Sequence, residues 1–259
     1  MRFLALLLLL PFICFAETLN VALYENHDNY IKHSRAYKVN WELLKLLAKD
    51  EGLILRTKPY LWVRALDALK NNRVDAVIGA YYSEERNEIG HFSPPFALDG
   101  IFLYAKKQNS LSLNEILSSR ALVGVTTSSI GDSLAAKLKF TDVYRKPSSE
   151  QVFELLIKGK LDYAIFSNSV ARTHCEMKGK SKLSENCLFA ITPLMTTNTF
   201  HTIYSNTAEK KNISKRLELA TKRLIKEEKV KPIFINSGYN EEEYQNWLET
   251  RQIWINRFM

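Results

Sequence analysis

The sequence predicts an α/β protein with mostly parallel strands, arranged as two lobes of similar build. Three observations carry that prediction. Short apolar runs alternate with segments of helical period. The alternation pauses after residue 106 and restarts near residue 121. One unit also recurs: LKNNRVDAVIG (69–79) matches LIKGKLDYAIF (156–166) in residue type, at an offset of 87 residues. That period is far too long for a solenoid and fits one unit per lobe.

The elements follow in order. LNVALY (19–24) reads as a strand, and Val39, Leu43, Leu46 and Leu47 mark one face of a helix. LILRT (53–57) is a strand, Leu61, Ala65, Ala68 and Leu69 form a helical face, and DAVIG (75–79) is the next strand. GIFLYAK (100–106) is a strand leading out of this block. The second block begins with the strand ALVGV (121–125) and a helix from Ile130 to Lys139. Val152, Leu155 and Leu156 mark a helix, DYAIF (162–166) a strand, and a helix runs from Ser169 toward Cys175. FHTIY (200–204) is a strand, and Ile213, Leu217, Ala220 and Leu224 mark a long amphipathic helix. The polar stretch 106–115 and the stretch 192–200 are the candidate crossings between lobes. They divide the chain into a discontinuous first lobe, 17–106 plus 200–259, and a second lobe, 107–199. Ligands of such lobes sit outside the carboxyl ends of strands. The loops at Gly79–Arg86 and Phe166–Asn168 then face each other across a cleft.

Composition bounds the function. A chain of 259 residues with 46% hydrophobic and 25% charged residues builds a real core and is not disordered. Residues 1–16 read as a signal peptide: Met1-Arg2, an apolar core from Phe3 to Leu10, a break at Pro11, and Cys14 and Ala16 before a cut at Glu17. The run is shorter than the roughly 20 residues that span a bilayer. Bulky Ile13 argues against lipidation at Cys14. The mature chain is therefore placed in the periplasm. Loss of Arg2 takes the formal charge from +8 to +7. The basic concentration from Lys210 to Lys231 has the spacing of a solvated helix face, and nucleic acid is not an expected partner of an exported chain. Cys175 and Cys187 can pair as a disulfide in that compartment. Two thiols this far apart, with only His174 nearby, make a poor metal site.

YLWVRALDALKNNRVDAVIGAYYSEERNEIGHFSPPF (60–96) resembles the signature region of the family 3 extracytoplasmic solute-binding proteins, the polar amino-acid receptors of ABC importers. YKVNWELLKLLAKDEGL (37–53) is similar to that family's first helix, and VGVTTSSIGDSL (123–134) to its second-lobe strand and loop. The resemblance runs from about Leu19 to about Tyr239. It implies the type II periplasmic-binding-protein fold, two lobes on a two-strand hinge that close on ligand. It also implies a monomer without cofactor, with an ABC transporter permease as membrane partner. Arg86 stands where the family's arginine pairs with the ligand's α-carboxylate, and a guanidinium matches a carboxylate bidentately. Ser83 looks like the N-cap just before it. Gly79 and Tyr81 match loop positions facing the ligand. Ser128 and Ser129 match the second-lobe turn that helps hold the carboxylate. Trp62 and Tyr24 stack on the ligand or wall the cleft.

The departures concern the ligand. Ser167 stands where amino-acid receptors place an Asp against the ligand's ammonium. Tyr81 is far larger than the usual Thr or Ser, and Asn40 replaces an Asp of the first helix. A smaller ligand, a carboxylate without an α-ammonium, and an amino acid held by Glu25 or Asp28 all stay open. The expected function is capture of a small polar carboxylate-bearing solute, an amino acid or relative, without chemistry. A sensing module for a separate membrane partner is one alternative. A periplasmic enzyme resembling cyclohexadienyl dehydratase is another, although the five histidines (27, 33, 91, 174 and 201) form no evident dyad. In the extension 240–259, Trp247, Ile253, Trp254 and Phe258 form an apolar stripe that packs on the first lobe or docks a partner.

Overall fold

The structure, a computed structural model, describes residues 17–108, 110–179 and 187–259. The leader read at 1–16 lies outside them, as does most of the excursion between the cysteines. The chain opens with β1 (Thr18–Tyr24), α1 (His27–His33), α2 (Arg35–Asp50), β2 (Ile54–Tyr60), α3 (Trp62–Lys70) and β3 (Ala76–Tyr81). Next come α4 (Glu84–Ile89), β4 (Gly90–Phe92), β5 (Ala97–Ala105), α5 (Leu113–Ser118), β6 (Leu122–Thr126), α6 (Ile130–Lys137) and β7 (Asp142–Lys146). The remaining elements are α7 (Ser149–Ile157), β8 (Tyr163–Ser167), α8 (Asn168–Met177), β9 (Phe189–Ser205), α9 (Ala208–Lys226), α10 (Lys231–Asn236) and α11 (Glu241–Phe258).

The sheet runs β2-β1-β3-β9-β5-β8-β6-β7, with β4 added alongside β9. Its outer portions are parallel, β1 with β2 and β3, and β6 with β7 and β8. The two longest strands, β5 and β9, lie antiparallel at the centre and belong to both halves. β9 also pairs with β3, while Ile101–Ala105 of β5 pairs with β8. These are the two strands of the hinge. The edges follow strand chemistry: β2 is mostly exposed and carries Lys58 and Pro59, and β7 is polar and mostly exposed, which discourages further pairing. The apolar central strands are buried, and α2 seats Val39, Leu43, Leu44 and Leu47 against them with Ser34 as its N-cap.

The internal repeat is structural. Asn72 and Gly159, at the same place in each copy, both take a left-handed backbone, φ 53° and 68°. Asp75 then accepts the Asn20 backbone N–H at the start of β1, and Asp162 accepts that of Leu122 at the start of β6. Each copy therefore ends a helix and uses its Asp to pin the neighbouring strand.

Gly79 interrupts the β3–β9 ladder. The register passes from Ile78 opposite Thr202 to Ala80 opposite His201, so Gly79 is the bulged residue, at φ 84°. Its N–H goes to Asn40 Oδ1 and its carbonyl accepts the Tyr24 hydroxyl. A Cβ at this position would lie 2.8 Å from the Tyr24 ring. Gly79→Ala is expected to cost about 1–3 kcal/mol from backbone strain alone. Chemical denaturation checks this, and a variant as stable as the parent would contradict it.

Cys175 and Cys187 are bonded. Closing a loop of this length constrains the unfolded chain and stabilises the fold by roughly 3 kcal/mol. No helix among the described residues is long and apolar enough to cross a membrane.

Candidate functional site

The carboxyl ends of β1, β3, β6 and β8 converge on a cleft of about 700 Å³, its open mouth included. Gly79, Tyr81 and Arg86 reach it from β3 and α4, Tyr24 from β1, and Trp62 from the start of α3. Ser129 and Ser167 reach it from the opposite side, as N-caps of α6 and α8. Seven of the eight ligand residues expected from the sequence thus line one cleft. Ser128 does not line it with its side chain. It stands beside the cleft at φ 57° and contributes its backbone carbonyl.

Arg86 is the charged centre. Ser83 caps α4 by accepting the Arg86 backbone N–H, which fixes where the side chain leaves the helix. The guanidinium donates to the Tyr81 carbonyl at 2.8 Å and the Ser128 carbonyl at 2.7 Å, and lies 5.2 Å from the Trp62 ring centre. Trp62 Nε1 donates to the same Ser128 carbonyl at 2.9 Å. Arg86 is only 4% exposed, and no ion pair with an Asp or Glu forms at it among the described residues. Burial lowers its pKa to about 10, still well above neutral pH, so the group stays cationic. The fold treats its other buried arginine differently: Arg251, 3% exposed, is paired with buried Glu218. A buried cation held only by carbonyls is costly and attracts an anion.

Tyr81 forms the floor. Its hydroxyl turns away from the opening and donates to Asp99 at 2.7 Å, and its ring stands edge-on to Phe200. Asp99 lies on β5 and also accepts the backbone N–H groups of Ser169 and Gly100. Burial raises the Asp99 pKa above the usual carboxylate range. The large side chain is therefore spent on a strut between β3, β5 and α8. Nothing in the local sequence ALDGIF marks Asp99 as that partner.

The wall is more aromatic than the sequence suggested. Tyr30 and Tyr60 join Tyr24 and Trp62, and Phe166 lies opposite. Tyr24 packs at 4.8 Å from Tyr30 and 4.7 Å from Tyr37, and its hydroxyl is 2.5 Å from the Gly79 carbonyl. Glu25 is the acidic residue of the lining. It also borders an outer groove with Lys146 and Lys178, and burial raises its pKa while Ser148 opposes the shift. Asp28, the other acid weighed for an ammonium, is absent from the lining. Among the described residues no group of three or more His, Cys, Asp or Glu is placed to hold a metal.

One contact was invisible in the sequence. Ser149 lines the cleft, and its Oγ lies 2.9 Å from His174 Nε2, across 25 residues of chain. Burial lowers the His174 pKa to about 4, too low for an efficient base at neutral pH. His201, fully buried and bonded to the Ser93 carbonyl and Thr199, is lowered by burial to about 3. The fold favours both imidazoles neutral, so the unfolded chain takes up protons first as pH falls. Their contribution is complete above the unfolded pKa near 6.5 and is lost as pH drops toward the folded values. Stability is expected to be flat from about pH 7 upward and to fall by roughly 1–2 kcal/mol per imidazole at pH 5. Urea midpoints at both pH values check this. A smaller fall in a His174→Gln, His201→Gln double variant than in the wild type would complete the assignment, part of the remainder belonging to His91, whose pKa burial also lowers to about 4.

Two lobes, a two-strand hinge and a cleft at the strand ends are the architecture of the periplasmic-binding-protein fold. The profile of the bacterial extracellular solute-binding proteins, family 3, matches residues 37–206, and the chain belongs to that family. Solved structures agree on the fold. An ancestral arginine-binding protein bound to glutamine superposes with a TM-score of 0.72 at 18% identity, covering 87% of this chain and 100% of that one. The substrate-binding protein of an amino acid ABC transporter gives 0.69 at 15% identity, covering 85% and 99%. A histidine kinase sensor domain with similarity to periplasmic binding proteins gives 0.72 at 17% identity, covering 85% and 96%. No curated protein sequence matches the chain.

Proposed function

We propose that this is a periplasmic solute-binding protein that captures a small polar carboxylate-bearing solute, of the amino-acid class or its relatives, for an ABC importer. The observation that carries the reading is Arg86: a buried cation lining the cleft without an acidic partner among the described residues. A ligand carboxylate at Arg86 supplies the missing countercharge, and Ser129 and Ser167 add hydroxyls from the other side. The lobes, 17–106 with 200–259 and 107–199, close over it, and residues 1–16 direct export. The likeness to the substrate-binding protein of an amino acid transporter supports delivery to a permease. The protein acts as a monomer and performs no chemistry, and the low pKa of His174 beside Ser149 favours that reading over catalysis. The sensor-domain likeness favours a second role, reporting the same solute to a separate membrane partner.

The test is mass spectrometry of what co-purifies with the protein, followed by thermal melting with that compound. A carboxylate at 100 times its Kd adds about 2.7 kcal/mol of stability. A co-purifying ligand without any anionic group would sink the reading.

A further inference from the structure

The acceptors and donors of the cleft are unevenly divided. Three backbone carbonyls at the cleft accept side-chain bonds. Gly79 O accepts from Tyr24, Tyr81 O from Arg86, and Ser128 O from both Arg86 and Trp62. The Asp99 carboxylate is taken beneath the floor by the Tyr81 hydroxyl and two backbone N–H groups. The serines are committed on their acceptor side as well. Ser129, Ser148 and Ser167 each accept a backbone N–H as helix caps, through Asp132, Glu150 and Val170. A hydroxyl that accepts in this way keeps its O–H for donation. Ser148 uses its hydroxyl on Glu25, and Ser167 shares a hydrogen bond with Tyr81. The donors left over are therefore the Ser129 hydroxyl and the remaining N–H groups of Arg86. Glu25, the acidic lining residue, stands where the cleft meets the outer groove and is held through Ser148.

Resting on the carboxylate reading of Arg86, we propose that the solute is a carboxylate that carries no α-ammonium group, such as a 2-hydroxy or 2-oxo acid, with its body against the aromatic wall. An ammonium brings a positive charge and three donors. Inside the cleft it would meet the like charge of Arg86, while the acid of the lining, Glu25, stands at the border with the outer groove and is engaged by Ser148. A hydroxyl or oxo group in its place accepts from Ser129 or Arg86 and brings no second positive charge. Tyr24, Tyr30, Tyr60 and Trp62 then cover the apolar body of the solute. The position that decides this is Ser167, 3% exposed, whose neutral side chain both lines the cleft and caps α8.

Matched pairs test the proposal by calorimetry on the mature protein: L-3-phenyllactate against L-phenylalanine, and L-lactate against L-alanine. At least one hydroxy acid is expected to bind at least tenfold more tightly than its amino-acid twin. Ser167→Asp keeps a good N-cap, and a cooperative thermal melt confirms that the variant is folded before it is titrated. It is expected to narrow or reverse the preference by tenfold or more. Amino acids that bind the parent protein as tightly as their hydroxy counterparts overturn the proposal and leave the carboxylate reading standing. A preference unmoved in folded Ser167→Asp overturns the role of that position. If co-purification yields a ligand without an anionic group, the carboxylate reading and this proposal fall together.

Discussion

Arg86→Met abolishes solute binding while leaving the solute-free protein at least as stable as the parent. Removing one partner of a buried charged contact costs roughly 2–5 kcal/mol, about 30-fold to several-thousand-fold in affinity. The stability half of the prediction has a different cause. Arg86 is buried with two carbonyls and an indole as neighbours, and carries no acidic counterion among the described residues. Methionine has similar length and no charge to desolvate. It removes the burial penalty and loses two hydrogen bonds of about 1 kcal/mol each, or somewhat more for a charged donor. The two terms offset one another. Calorimetric titration with the co-purified solute reads the first half, and urea unfolding reads the second. Binding within threefold of the parent would remove Arg86 from the ligand's contacts. A loss of several kcal/mol in stability would show that its role is to hold Ser128 rather than the solute.

Trp247→Ala carries the second large effect, on stability. The α11 helix buries Tyr244, Trp247, Arg251 and Trp254, a face of helical period interrupted by one charge. Trp247 is 1% exposed, lies 4.4 Å from the Phe234 ring centre, and donates Nε1 to the Pro95 carbonyl at 2.9 Å. Arg251 reaches the same carbonyl and pairs with Glu218 of α9. The substitution opens a cavity and removes one of the two donors to the Pro95 carbonyl, in the Ser-Pro-Pro turn that follows α4 and β4. The expected loss is about 3–5 kcal/mol, or roughly 10 °C in Tm for a chain of this size. A loss below 1 kcal/mol would make the helix an appendage.

That helix also shows what the sequence could and could not convey. The stripe of Trp247, Ile253, Trp254 and Phe258 was half right: both tryptophans are buried, but Ile253 is 68% exposed and Phe258 41%. The buried face includes Arg251, and hydrophobic periodicity cannot find a core position filled by an ion pair. The place of Arg86 in the cleft was legible because the Ser-Glu-Glu-Arg end of its loop is kept although Tyr81 departs from the pattern, and β3 and β8 because they are continuous apolar runs. β7 was missed because an exposed edge strand, DVYRK, has no apolar alternation to display. The stretch 192–200 was read as a crossing, and it is the polar middle of β9, the longest strand. There the strand passes through the hinge, where burial on both faces is not required. The Gly79 bulge and the Tyr81–Asp99 strut depend on which strands become neighbours. Pairs from 18 positions apart (Tyr81 and Asp99) to 124 apart (Ile78 and Thr202) set that register, and no local pattern encodes it.

The central place of β9 has a consequence for the order in which the molecule assembles. The second edge of β3 stays bare until residues 200–204 arrive, since Ala76 pairs with Tyr204 and Tyr81 with Phe200. The strands β1, β2 and β3 come from the first third of the chain, yet their sheet is completed by a segment near its far end. The units β6, α6, β7, α7 and β8 lie close together in sequence and can pair from local segments alone. Contacts between distant positions are slow to form because the intervening chain must first be ordered. The portion translated first is therefore the portion finished last, and the Arg86 side of the cleft takes shape only as the chain returns.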